Sequence, residues 1–167
     1  EKREVYKELE KIVCAHGLPV VICGPGFFKE YLYHYLRERG IGNLHLESTA
    51  MCGRAGVREL LNKGKLGTLA EEHRVLRETE LMEQFMTALR KGEPVCYGME
   101  DCMRCLELGA VELMLVADYV VRGNPALLNR IERKGAKPVL ISTAHDGGRL
   151  LKGLGGIAGF LRFDPGL

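Results

Sequence analysis

The sequence predicts an α/β protein built as two small α/β domains, residues 1–68 and 69–167, the second an α-β-α sandwich. Three observations carry this. Short, wholly apolar runs alternate with longer segments whose apolar residues recur at helical spacing. A stretch bearing two glycines and two lysines, residues 62–69, breaks every period near the middle of the 167-residue chain. Glycine is abundant, at 21 residues, which suits many short elements joined by tight turns.

The first helix is predicted over 3–15, with Val5, Leu9, Ile12 and Val13 as its stripe, ended by Gly17 and Pro19. Val20-Val21-Ile22-Cys23 reads as a buried strand that stops at Gly24-Pro25-Gly26. Helical spacing returns over 27–39 through Tyr31, Leu32, Tyr35 and Leu36, and Leu44 to Leu46 makes a second short strand. Val57, Leu60 and Leu61 mark a helix over 53–64. After the expected linker, Val75, Met82, Phe85, Met86 and Leu89 stripe a long helix over 70–91, closed by Gly92 and Pro94. The remainder reads strand 95–97, helix 99–108, strand 111–117, a helix from Pro125 to Lys134, strand 138–142, a short helix near 147–152, and strand 157–163.

Charge says little about partners. With 24 Lys+Arg against 22 Asp+Glu the formal net charge is +2, too small to indicate a nucleic-acid binder by itself. Arg122, Arg130, Arg133, Lys134 and Lys137 cluster against only Glu132, and a solvated helix face is the simpler reading. No apolar run approaches the ~18–20 residues of a membrane span, so no membrane partner is expected. The opening Glu-Lys-Arg-Glu-Val-Tyr-Lys is not a signal peptide. It reads as the middle of a helix, so the chain is expected to be a piece of a longer one.

Six cysteines are present. Cys14 and Cys23 lie in apolar stretches that suit buried, reduced thiols. Cys102 and Cys105 form a lone C-x-x-C on a predicted helix. A structural zinc site needs four ligands and no second pair exists, so two thiols facing a sheet is the simpler account.

Three stretches invite a functional reading. Gly24 to Glu30 sits where a strand hands over to a helix, but it lacks the glycine, lysine and hydroxyl spacing of a phosphate loop, and Pro25 removes a donor. Phe27 at a rigid turn suits a docking contact better. Gly153 to Gly159 precedes a strand, so no helix N-terminus is available there. It reads as a tight turn, or as backbone that a partner approaches closely. His145-Asp146 follows a strand end, yet no nucleophile elbow or metal-ligand spacing accompanies it, and a turn role is favoured. The residues alone give no enzyme active site.

Taken in order, several motifs resemble the second and third domains of the Pelota family of ribosome-rescue factors, relatives of class 1 release factors. They are Val21 to Phe27, Gly53 to Leu61, Cys96 to Glu100, Gly109 to Glu112, Ser142 to Gly148 and Gly155 to Phe163. Phe27-Phe28 after Gly-Pro-Gly, and the short span between Ala117 and Pro138, with no room for an inserted minidomain, favour Pelota over release factors. The resemblance implies a truncated central release-factor-like domain followed by a sandwich that resembles kink-turn-binding ribosomal proteins.

The same resemblance implies a cytoplasmic, monomeric adaptor in ribosome rescue, mRNA surveillance and no-go decay. Its partners would be an elongation-factor-1α-like GTPase, the stalled ribosome and an ABC-type ribosome-splitting ATPase. The family's GTPase-contacting motif falls on Pro25, Gly26 and Phe27, and a second docking region on Leu154, Gly155, Gly156 and Ile157. The endonuclease and metal-binding assignments of the family, with their divalent cation, belong to an N-terminal Sm-like domain outside this chain. No catalytic residue, metal ligand or cofactor is therefore expected here. The alternatives are a class 1 release-factor piece, which an upstream Gly-Gly-Gln would mark, a structured-RNA-binding domain, and a nuclease in its own right.

Overall fold

The computed structural model describes residues 2–166, with the side chain of Lys2 left aside. It divides into two units, one running to His73 and one from Arg74 onward. The first unit holds α1 (Lys2–His16), β1 (Val20–Gly24), α2 (Phe28–Glu38), β2 (Leu44–Ser48) and α3 (Gly53–Asn62). β1 and β2 pair in parallel, Val20 opposite Leu44 and Gly24 opposite Ser48. Ile22, Leu36 and Leu44 form its small core.

Two expectations fail in this unit. Cys14 is exposed, and so are Val5 and Ile12 of the predicted stripe. The two strands offer α1 too little sheet to cover that face. Residues 62–69 are not a linker either. Gly64, at φ 70°, closes α3, and a 27-residue helix α4 (Lys65–Lys91) begins at the next residue. Gly67 is helical, and Lys65 Nζ is tied to Glu47 Oε2 at 2.7 Å, so the expected break is one tight corner. The division between the units falls inside α4.

The second unit continues with β3 (Val95–Tyr97), α5 (Met99–Glu107), β4 (Val111–Ala117), α6 (Asp118–Gly123), α7 (Leu127–Arg133), β5 (Lys137–Ile141), α8 (Asp146–Gly153) and β6 (Ile157–Leu161). The strands order as β3-β6-β4-β5, with β4 and β5 parallel and β6 antiparallel to both β3 and β4. Alternation along the strands sends side chains to opposite faces. Met114 and Val116 of β4, with Ile157 of β6, meet Cys102, Cys105, Leu106, Leu127 and Ile131 from α5 and α7. Leu115, Ala117 and Ala158 meet Met82, Phe85 and Leu151 from α4 and α8. This is the three-layer α-β-α arrangement. Pro138 sits in β5, an edge strand, where its missing N–H costs no ladder bond to a second neighbour.

α6 was not expected from sequence, and the basic cluster is less bare than its composition suggested. Arg130 and Lys134 each reach Glu107 at 2.6 Å, and Arg122 lies 3.5 Å from Asp118. Those acids come from α5 and from the start of α6, too far along the chain for local counting to find all of them.

Candidate docking surfaces

In the first unit, β1 ends at Gly24, and Pro25, Gly26 and Phe27 carry the chain into α2. Gly26 has φ 67°, a left-handed conformation that a side chain would strain. Phe27 O accepts from Glu30 N at 3.1 Å, opening the first helical turn, and Lys29 Nζ donates back to Gly26 O. The turn is thus fixed by backbone and by Lys29, without help from the phenyl ring. Phe27 is 73% exposed, and Phe28 and Tyr31 beside it are exposed as well.

The loop that leaves β2 starts on the same edge, since Thr49 N donates to Gly24 O at 3.4 Å. Glu59 of α3 grips that loop, accepting from Ala50 N at 2.9 Å and Met51 N at 3.4 Å. Lys63, hydrogen-bonded to the Glu59 carboxylate, brings its pKa below the ordinary value despite partial burial, with the Ala50 N–H adding to the effect. Gly56 allows the approach, because a Cβ there would stand 2.5 Å from Met51 O. Exposed Met51 therefore rides on a rigid loop at the edge that carries Phe27. The carboxyl edge of a parallel pair is where α/β folds place their ligands.

In the second unit, Leu154 to Gly156 turn the chain from α8 into β6. Gly155 and Gly156 have φ 95° and 81°. Gly156 N donates to Leu151 O at 2.9 Å, Ala117 N donates to Gly156 O at 2.8 Å, and Gly98 N donates to Ile157 O at 3.0 Å. A Cβ on Gly156 would stand 2.7 Å from Val120 Cγ2 and 2.8 Å from Tyr119 Cζ. Gly155 is exposed and Leu154 half-buried, but Gly156 is buried and Ile157 has no exposed surface. Ile157 is thus a core residue, and its side chain cannot meet a partner. Of the sequence-expected residues, Pro25, Gly26, Phe27, Leu154 and Gly155 remain accessible, in two separate units.

The sequence reading singled out His145 but missed the polar cluster it joins at the carboxyl edge of β4 and β5. Glu78 of α4, only 4% exposed, accepts from Ser142 N at 2.8 Å and meets His145 Nε2 at 2.6 Å. His145 caps α8, its Nδ1 accepting from Gly148 N at 3.4 Å, so Nε2 carries the proton and donates to Glu78. Both ring nitrogens are engaged within the protein, which leaves no lone pair for a general base. Next to it, Thr143 Oγ1 donates to Asp118 Oδ1 at 2.8 Å. Burial alone would push the Asp118 carboxyl up, but the Thr143 and Tyr119 donors and Arg122 bring it net below the ordinary range. The signal for Glu78 was available: it sits on the apolar stripe of α4, three residues after Val75 and four before Met82.

Cys102 and Cys105 face the sheet, where Gly159 opens space for Cys96 Sγ. Hydrogen bonds from Cys102 and Cys105 hold the Cys96 thiol below its ordinary value against the effect of burial. The donors move the other way, Cys102 upward through its bond to Cys96 and Cys105 to about 11 through burial. Among the described residues, no group of three or more His, Cys, Asp or Glu is arranged to hold a metal ion. No described helix is long and apolar enough to cross a membrane.

The family description eRF1 domain 3 matches residues 75–165. The Pelota homologue of Pyrococcus horikoshii is 34% identical over 96% of this chain and 48% of its own length. That of Methanothermobacter thermautotrophicus is 38% identical over 97% of this chain and 48% of its own. The chain thus spans about half the length of the curated relatives it matches. An archaeal Pelota from a ribosome-bound assembly with ABCE1 superposes with a TM-score of 0.76 at 30% identity, over 97% of this chain and 48% of that one.

Proposed function

Since the chain belongs to the eRF1 domain 3 family, we propose that it is the partner-docking half of a ribosome-rescue factor. In this reading it binds an elongation-factor-1α-like GTPase and the stalled ribosome in the cytoplasm. It promotes subunit dissociation together with an ABC-type ATPase, feeds no-go decay, and needs no cofactor of its own. The similarity to Pelota homologues along nearly the whole chain supports the pathway. The fold supports Pelota over a release factor at one further point, because only two short helices, α6 and α7, separate β4 from β5.

The observation that carries the docking assignment is Phe27. A large apolar ring held about three-quarters in water, on a turn that does not need it, contributes little to folding and much to a contact that desolvates it. Pro25 and Gly26 fix its direction, and exposed Met51 extends the same edge. In the second unit Leu154 and Gly155 offer a smaller contact, mostly backbone. Rigid presentation matters because ordering a loop on binding would cost affinity.

The test is calorimetric titration of the chain with archaeal elongation factor 1α, loaded with a non-hydrolysable GTP analogue or with GDP. Saturable binding to the analogue-loaded form, weakened by Leu154→Ala, supports the reading. Undetectable binding by natively folded protein contradicts it.

A further inference from the structure

The first unit carries a second surface that the GTPase reading does not use. A cavity of about 540 Å³ lies between α1 and α2, lined by Arg3, Tyr6, Lys7, Tyr31, Tyr35 and Arg39 among others. Helical spacing builds it. Arg3, Tyr6 and Lys7 fall three and four residues apart on one face of α1, and Tyr31 and Tyr35 four apart on α2. The two helices are joined across it by the Tyr6 and Tyr35 rings, whose centroids are 5.2 Å apart, tilted at 49°. Arg39 lies 3.7 Å over the Tyr35 ring and reaches Glu10 at 3.0 Å, and Tyr35 Oη donates to the same carboxylate at 3.2 Å. Burial raises the Tyr35 hydroxyl, so it stays a donor at neutral pH. The platform is therefore pre-assembled.

The lining carries Arg3, Lys7 and Arg39, the last already paired with Glu10, against one lining carboxylate, Glu38, and Tyr31 at its rim is 66% exposed. Aromatic faces flanked by flexible cations hold nucleotides: the rings stack bases and the cations take phosphates. An apolar protein partner would leave Arg3 and Lys7 to be desolvated without a counter-charge, so charge complementarity favours a polyanion with stacking surfaces. We propose that the α1–α2 groove binds single-stranded RNA, an unpaired base stacking on Tyr31 with its neighbouring phosphates on Arg3 and Lys7. Naming RNA as the occupant rests on the ribosome-binding reading above; the groove adjoins the Phe27 edge at Tyr31 but does not include Phe27.

Fluorescence anisotropy with a labelled 12-nucleotide oligouridine tests this on the full chain, with melting curves as the folding control. All four substituted side chains are exposed, so the variants are expected to fold. The Arg3→Ala/Lys7→Ala double variant is expected to bind about tenfold or more weakly and to flatten the slope of log affinity against log salt by about 1.4, two phosphate contacts at about 0.7 each. Tyr31→Ala is expected to weaken binding about fivefold or more, through lost stacking. Arg58→Ala, an exposed cation of α3 outside the groove, is expected to leave RNA affinity unchanged, which separates the groove from surface charge in general. No binding by wild type at low salt, unchanged affinity in the double variant, or unchanged affinity in Tyr31→Ala overturns the proposal. So does capture of a proline-rich peptide in the groove with no dependence on salt.

Discussion

Glu78 anchors the second unit, and its removal is open to a worked estimate. Its carboxylate, 4% exposed, is the acceptor for Ser142 N at 2.8 Å and His145 Nε2 at 2.6 Å, with Arg74 at 3.4 Å. Glu78→Ala leaves two donors at the end of β5 with no partner. An unsatisfied buried donor costs about 1–3 kcal/mol, so the pair amounts to about 2–6 kcal/mol. Breaking a buried charged contact by removing one side gives a similar figure, about 3–5 kcal/mol. Glu78→Gln retains a carbonyl acceptor for one donor and should lose about half as much. The assay is urea unfolding followed by circular dichroism. With a slope of about 1.5 kcal/mol/M, a loss of about 3 kcal/mol moves the midpoint down by about 2 M. His145→Ala in the Glu78→Ala background should cost much less than His145→Ala alone, a coupling of about 1–3 kcal/mol. Equal midpoints for Glu78→Ala and Glu78→Gln, or additive single and double variants, would refute the clamp.

Other consequences are open to simpler experiments. Gly156→Ala places a Cβ against Val120 and Tyr119 at a φ of 81°, and thermal melting should show a loss of about 2 kcal/mol or more. Exposed Cys14 and Cys52 should react with a thiol reagent in the native protein. Cys96, Cys102 and Cys105 should be labelled only after denaturation, as mass spectrometry after a timed quench would show. Glu107 has its pKa held down by Lys134 first and then by Arg130. A lowered native pKa gives stability that is present above the ordinary glutamate value, about 4.3, and is lost as pH falls through the native one. Glu107→Gln should therefore flatten the acid side of the stability profile, read as melting temperature between about pH 5 and 3.

Most of the alternation of strands and helices was legible because most apolar runs are bounded by glycine or proline and the longer helices carry a stripe, whereas the six-residue α6 is too short to show one. The corner at Gly64 misled for a local reason. Gly-Lys-Leu-Gly looks like a linker by composition, yet the helix formers around Gly67 and the Lys65–Glu47 pair start α4 there. Ile157 shows the limit of motif reasoning. Its neighbours Leu154 and Gly155 are accessible, but strand alternation points its side chain into the α5–α7 layer. The exposure of Phe27 was inferable from the turn, whereas Glu78 and His145 are 67 residues apart, and only the packing of α4 on the β5–α8 turn joins them.

We propose that Phe27 serves a partner and not the core. Wild type and Phe27→Ala, titrated with GTP-analogue-loaded elongation factor 1α and melted in parallel, test it most directly. Only about a quarter of the ring is covered in the free protein. Full burial of such a side chain is worth about 1.5–3 kcal/mol, so truncation should cost about 0.4–0.8 kcal/mol. That lowers the melting temperature of a chain this size by about 1–3 °C. Affinity should fall at least about tenfold, or about 1.4 kcal/mol. Unchanged affinity, or a melting loss on the scale of a buried phenylalanine at about 3–5 kcal/mol, would contradict the account.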